Sequence, residues 1–261
     1  MIYNSYGKGF MKIDDEGSYF MPDYFRLASD MLFDEVFCME VNEINTLRDE
    51  FIEKGRGKVF IDVGAHIGTY SIVLGKVFDR VFAFEPEPHI YNILCANIAL
   101  HNLSYKSVVM KCPVSDCVGT LHYVKLDQFG GNNYCYKDED GDTWKDLYSF
   151  TTNREVFSQN AMPLDALQLN NVGLLKIDVE GFELNVLRGA TQTLKASNYP
   201  PIIIESWNPS TAPTEELRMK YANLRKELFD YVGELGYKVT PFGDNDYLFR
   251  CDYGGIKNEG L

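Results

Sequence analysis

From residue 57 onward, short apolar runs rich in β-branched residues alternate with segments of helical spacing, and this rhythm narrows the folds open to the chain more than any other feature. The strand-like runs are Val59–Val63, Val81–Phe84, Ser107–Met110, Leu174–Ile177 and Ile202–Ile204. Between them, Ile90, Ile93, Leu94, Asn97 and Ile98 share one face of a helix opened by Pro88. Leu184, Val186, Leu187 and Leu194 mark a second helical segment, with Gly189 placed to interrupt it. A third passes through Leu217, Tyr221, Leu224, Leu228 and Val232 and stops near Gly233 and Gly236. Alternation of this kind predicts a parallel sheet covered on both faces, because each parallel crossover lays its helix across a face. The C-terminus departs from the rhythm. There GYKVTPF and DYLFRC, joined by Gly243-Asp244-Asn245, read as an antiparallel hairpin that closes the sheet.

Two regions stand outside the alternation. Residues 1–57 are rich in Tyr, Phe and Met and carry a helical pattern through Val41, Ile44, Leu47 and Phe51, which reads as an N-terminal extension packed on a core of residues 58–261. Residues 125–160 form a long polar excursion, GGNNYCYKDEDGDTWKD at its centre, a substrate-side insertion of the kind that is either a functional lid or a solvated, disordered loop. Tyr134, Tyr136, Trp144 and the Gly130-Gly131-Asn132-Asn133 turn offer stacking faces and amide hydrogen bonds there. A sugar ring, with apolar faces and hydroxyl edges, matches that chemistry.

Charge and composition exclude several classes of partner. The 261 residues carry 25 Lys plus Arg against 38 Asp plus Glu, a formal charge of −13, and the basic residues are scattered. Such a body repels a phosphate backbone, so nucleic acid is disfavoured as a partner. No apolar run approaches the length of a membrane span, and the N-terminus lacks the basic and apolar segments of a secretory signal. A soluble cytoplasmic protein is the expectation. The six cysteines, Cys38, Cys95, Cys112, Cys117, Cys135 and Cys251, show no zinc-finger spacing and read as reduced thiols.

The chemistry concentrates at strand ends. In VFIDVGAHIGTYSI, residues 59–72, a strand ends near Asp62, and Gly64 and Gly68 bracket a turn into the next helix. Glycines allow close approach of a ligand to the backbone. A dinucleotide fingerprint needs G-x-G-x-x-G, but His66 stands where its second glycine belongs, which argues against a nicotinamide cofactor. Glu85 ends the next strand in VFAFEPEP, where an acid accepts hydrogen bonds from ribose hydroxyls, and Pro86 turns the chain away. Asp62 and Glu85 together describe a site for an adenosine that carries a cation rather than phosphates.

These segments resemble the FkbM family of class I S-adenosylmethionine-dependent methyltransferases. The resemblance covers roughly residues 58–205 and rests on FIDVGAHIGTYS, AFEPEP followed by ILCANIALHNL, PVSDCVGTLHY, MPLDAL and above all LLKIDVEGFELNVLRGA. It implies a Rossmann-like, doubly wound, mostly parallel seven-stranded α/β sheet ending in the antiparallel hairpin. It implies that Asp62, Gly64, Ala65, His66 and Gly68 hold the methionine part of S-adenosylmethionine, that Glu85 with Pro86 holds the ribose, and that Asp116 accepts from the adenine amino group. Asp178, at the end of the fourth strand, is implied to face the transferred methyl. His66 departs from the family, which commonly has Asn there; it shapes the loop or adds a titratable group.

A hydroxyl acceptor must lose its proton, and a carboxylate within reach assists by roughly 10²–10⁴-fold. Asp178 is the first candidate for this base, with Glu180, Glu183 and Glu205 as alternatives. Asp178, Glu205 and Asn208 are also hard oxygen donors at neighbouring strand ends, a set that suits Mg²⁺, although carboxylates are expected at this edge without a metal. His89 and His101 flank a helix as surface residues, and His122 faces the site only if strand alternation turns it inward. The function expected is O-methylation of a sugar or glycan hydroxyl. The alternatives are a catalytically silent binding scaffold, a nicotinamide-dependent sugar enzyme and an RNA 2′-O-methyltransferase.

Overall fold

The computed structural model describes residues 4–6, 9–14, 17–22, 44–52, 58–126, 133–142, 154–243 and 245–251. Three N-terminal strands, β1 (Asn4–Tyr6), β2 (Gly9–Asp14) and β3 (Gly17–Pro22), pair antiparallel in chain order, an element the sequence rhythm did not signal. Residues 44–52 form a helix, α1. The alternating region follows as β4 (Val59–Val63), α2 (Thr69–Gly75), β5 (Arg80–Phe84), α3 (Pro88–Leu100) and β6 (Ser107–Met110). Next come three strands, β7 (Gly119–Leu126), β8 (Tyr134–Tyr136) and β9 (Arg154–Ala161). The chain then runs through β10 (Val172–Ile177), α4 (Glu183–Arg188), α5 (Thr191–Ala196), β11 (Ile202–Glu205), α6 (Glu215–Glu234), β12 (Tyr237–Pro241) and β13 (Asp246–Cys251).

The main sheet has seven strands in the order β12-β13-β11-β10-β4-β5-β6. The pairs from β11 through β6 are parallel, while β13 runs antiparallel to both β11 and β12. The strand–helix rhythm and the terminal hairpin are therefore both realised, although Asp244 of the turn lies outside the described residues. Every residue of β4 is buried, as a central strand covered on both faces requires. Its alternation divides the core. Phe60 joins α1, α2 and α3 on one face, while Val59, Ile61 and Val63 join α4, α5 and α6 on the other. Each large side chain so buried contributes on the order of 2–3 kcal/mol.

Local sequence sets the helix ends. Pro88 occupies the first turn of α3, and the Glu87 carboxylate accepts from the Ile90 amide at 2.5 Å. Thr214 caps α6 by accepting from Leu217. Gly189 closes α4 before α5 begins, and the position excludes a side chain, whose Cβ would lie 2.0 Å from the Ser115 carbonyl oxygen.

The division near residue 57 is not a seam in packing. Ile44 and Leu47 of α1 are buried in the same cluster as Phe60 and α2, and Glu50 pairs with Arg250 of β13. Part of the polar excursion, together with the residues just before it, forms the separate antiparallel sheet β8-β7-β9, inserted where an α/β unit would place a helix. Trp144 and Gly130-Gly131-Asn132 lie outside the described residues, as does Cys38. The other five cysteines are free thiols. Among the described residues no helix is long and apolar enough to cross a membrane.

Candidate active site

The order of the main sheet fixes where a ligand can enter. From β4 the chain proceeds to β5 and β6 on one side, then returns to β10 and β11 on the other. The loops leaving β4 and β10 therefore diverge at the carboxyl ends of those strands and open a crevice there. Gly64, Glu85, Asp178 and Glu205 stand at or just beyond the ends of β4, β5, β10 and β11.

The turn after β4 depends on left-handed backbone. Gly64 has φ 76°, His66 φ 51° and Gly68 φ 98°. A Cβ on Gly64 would sit 1.8 Å from the Asp178 carbonyl oxygen, so this residue must lack a side chain. His66 tolerates its conformation less readily than Asn would. The Gly64 and Ala65 amides donate to the Phe84 carbonyl at 3.0 and 2.9 Å, and Asn97 of α3 donates to the Ile67 carbonyl at 2.8 Å. Across the turn, Glu85 is buried and accepts from the His66 amide at 3.0 Å and from the Glu87 amide at 2.8 Å. Burial raises its pKa to about 7 against the lowering effect of those two bonds. Burial also lowers His66 to about 4, so its ring is neutral near pH 7 and adds no charge to the turn.

Asp62 lies under the turn rather than in its mouth. It is 0% exposed, and its Oδ2 accepts from the Ser71 hydroxyl of α2 at 2.6 Å. The sequence set Asp62 among the residues that hold the methionine end of the donor; its carboxylate stands beneath the turn, on the Ser71 hydroxyl. Beside it, Lys176 of β10 donates to the Gly64 carbonyl at 2.8 Å and to Asp178 Oδ2 at 3.0 Å. The side chain of Asp178 is 34% exposed and is the open member of this group. Burial works to raise its pKa, but the Lys176 charge and a hydrogen bond from Glu205 outweigh that and hold it below the usual carboxylate range.

Glu205 has the opposite bias. Desolvation and the negative charge of Asp178 push its pKa well up, and the two carboxyl groups share a hydrogen bond. Glu180, held at φ 56°, is raised by burial and by Asp178 and Glu183, while the Trp207 indole donates to it. Asp178, Glu180 and Glu205 can each present an oxygen with all three within 4.8 Å of one another. Asn208 does not join them. Its side chain caps the short helical turn Pro209–Thr211, accepting from the Ser210 amide at 3.0 Å. Glu183 also has a structural task, accepting from the Gly181 amide at 2.9 Å, and burial lifts its pKa to about 7.

The small sheet covers the β5 side of this edge. Tyr123 is buried, and after burial the charge of Glu85 is the next cause pushing its phenol pKa up. Leu121 and Ala161 pack on Phe182, Lys125 pairs with Glu87 at 3.0 Å, and Gln159 donates to the Pro86 carbonyl at 2.5 Å. Asp116 is paired with Lys137 at 2.9 Å and bonded by Ser115; together these overcome partial burial and keep it ionised. His122 sits between Asp138 at 2.6 Å and Ser158 at 3.1 Å, away from the carboxylate group. A cleft of about 780 Å³ lies between the start of α3 and β9, lined by Glu87, His89, Lys111, Phe157, Gln159 and Asn160. None of Asp178, Glu180 or Glu205 lines it. The K-x-D spacing in the sequence already puts Lys176 and Asp178 on one strand face, where it was read only in favour of an RNA acceptor, and Trp207 was missed altogether.

Known proteins resemble this chain in sequence and fold. Residues 62–239 match the methyltransferase FkbM domain. Methyltransferase sdnD of Sordaria araneosa is 24% identical over 209 residues, covering 71% of this chain and 77% of that protein. Hexuronic acid methyltransferase AglP of Haloferax volcanii is 26% identical over 147 residues, covering 56% of this chain and 55% of that protein. Among solved structures, a protein assigned as a caffeoyl-CoA O-methyltransferase from Staphylococcus aureus shares the fold, with a TM-score of 0.50 and 11% identity over 87% of this chain and 94% of that one. The fold is that of the class I methyltransferases, and because the family match spans more than half of the sequence, this chain belongs to the FkbM methyltransferase family.

Proposed function

We propose that the chain transfers a methyl group from S-adenosylmethionine to a hydroxyl of a sugar or related small molecule. The observation that carries this reading is the ionised, open Asp178 carboxylate beside a glycine turn that Glu85 faces. The residues fit the donor. Each Glu85 oxygen already accepts one backbone amide and keeps a lone pair for the ribose hydroxyls. The turn at Gly64, Ala65, His66 and Gly68 would take the methionine end, with Asp62 acting on it from beneath. Pro86 borders the ribose, and Asp116 would accept from the adenine amino group.

Bound there, the donor supplies an electrophilic methyl whose in-line transfer leaves a neutral thioether. The protein's share is to orient the acceptor oxygen and to take its proton. Asp178 suits the second task because the Lys176 ammonium favours its ionised form, whereas burial and the Asp178 charge bias Glu205 the other way. Lys176 pairs with Asp178 at 3.0 Å and so supplies a cation to this carboxylate group from within; we propose transfer that needs no divalent cation. Activity retained after exhaustive chelation is the expected result; loss on chelation with recovery in Mg²⁺ overturns it.

Two observations support a sugar acceptor. Trp207 and Tyr221 pack at a 48° tilt with ring centroids 4.8 Å apart next to Glu180, and a relative of similar sequence is a hexuronic acid methyltransferase. The test is calorimetric titration with S-adenosylmethionine and S-adenosylhomocysteine, followed by transfer of isotopically labelled methyl to uronic acids and neutral sugars. Micromolar donor binding with label on a hydroxyl oxygen is expected. Absence of donor binding overturns the reading, and label on nitrogen or carbon overturns the acceptor chemistry.

A further inference from the structure

We propose that Lys176 is the positioning residue of this site, a latch that fixes the glycine turn to the strand end bearing Asp178; the proposal rests on the donor reading above. Register places Lys176 of β10 directly beside Asp62 of β4, with α2 covering both. The lysine side chain is only 5% exposed. A buried ammonium persists only where its protons find acceptors, since desolvating an unpaired charge is prohibitive. Here they do. The Gly64 carbonyl lies at 2.8 Å and Asp178 Oδ2 at 3.0 Å, while Asp62 Oδ1 stands 3.7 Å away and the Tyr70 ring centroid 5.2 Å away.

The geometry assigns the ammonium a task that an apolar side chain of equal length could not perform. The Gly64 amide is fixed to β5 through the Phe84 carbonyl, so bonding of the Gly64 carbonyl to Lys176 ties the turn to β10 as well. Three strand ends, those of β4, β5 and β10, thereby hold one residue that cannot carry a side chain of its own. The same ammonium aims the Asp178 carboxylate and keeps it ionised. One side chain thus sets the distance between the donor turn and the acceptor's base.

Hydrogen exchange and donor titration on Lys176→Met and Lys176→Arg, at a temperature where circular dichroism shows both folded, test this. Lys176→Met is expected to raise exchange about tenfold in a peptide spanning residues 62–70, with exchange in β12 and β13 unchanged. Donor affinity should fall about tenfold in the same variant, and Lys176→Arg, which keeps charge and donors, should recover most of both. A merely structural lysine would raise exchange throughout the molecule and leave the folded protein's donor affinity intact. That result, or unchanged exchange at the turn, overturns the proposal. Should Lys176→Met not fold, Lys176→Gln provides the same comparison through an uncharged amide, with exchange at the turn again expected to rise. If the wild-type protein binds no donor, the methyltransfer reading fails while the exchange data still decide whether the latch exists.

Discussion

At Gly64 a methyl group would meet the Asp178 carbonyl oxygen at 1.8 Å on a backbone held at φ +76°, so strain and overlap act together. Gly64→Ala is expected to cost about 3 kcal/mol or more, read as a lowered midpoint in thermal or urea unfolding. Glu85 gives a prediction in pH. Its folded pKa, about 7, lies above its unfolded value, so its contribution to stability is fully present at acid pH and is lost as pH rises through about 7. A ribose that donates to the ionised form reverses the preference, so donor affinity should strengthen from about pH 6 to about pH 8 and then level off. Glu85→Gln should flatten that rise, and calorimetry across this range checks it. Asp178→Asn should leave donor affinity within about threefold while lowering turnover at least about tenfold; equal turnover refutes its role as base. Sequence placed Asp62, Glu85, Asp178 and Glu205 at one edge because each ends a strand. It could not reveal which carboxyl is held down and which is pushed up, since that follows from burial and from Lys176, Asp178 and Glu205 meeting across neighbouring strands.

Elements with strong periodicity were legible in the sequence, and those without it were not. The strands β4, β5, β6, β10 and β11, α3 with its Pro88 start, the break at Gly189 and the terminal hairpin all follow from apolar spacing and punctuation. In contrast, β9 presents polar residues along most of its length and pairs only with β7, so its burial pattern gives little signal. The N-terminal strands are short and separated by few residues, and their pairing is a tertiary fact. The cap of α6 belongs at this scale. Thr214→Ala removes the oxygen that accepts from Leu217 and should destabilise the protein by about 1 kcal/mol in urea titration, without altering donor affinity. A change in donor affinity would mean that α6 is coupled to the crevice through Trp207 and Tyr221.

For the whole molecule, the formal charge of −13 predicts weak association with polyanions. A capped RNA oligonucleotide should show no salt-sensitive binding by fluorescence anisotropy near 0.1 M salt; binding that weakens steeply with salt would restore the RNA 2′-O-methyltransferase reading. The strand–helix rhythm disclosed the doubly wound sheet, yet it could not show that the crossover from β6 to β10 is built from strands. That crossover joins the main sheet in sequence only at its two ends, Met110 and Val172. It therefore behaves as a cassette anchored at few points: substitutions at its described residues away from the Lys125–Glu87 and Gln159–Pro86 contacts should leave the register of the strands that carry the donor turn in place. Relatives that share the 62–239 span should accordingly diverge faster in what they methylate than in what they methylate with. Transplanting the cassette between two such proteins, with Lys125 and Gln159 retained, should shift acceptor preference while the donor dissociation constant stays with the host.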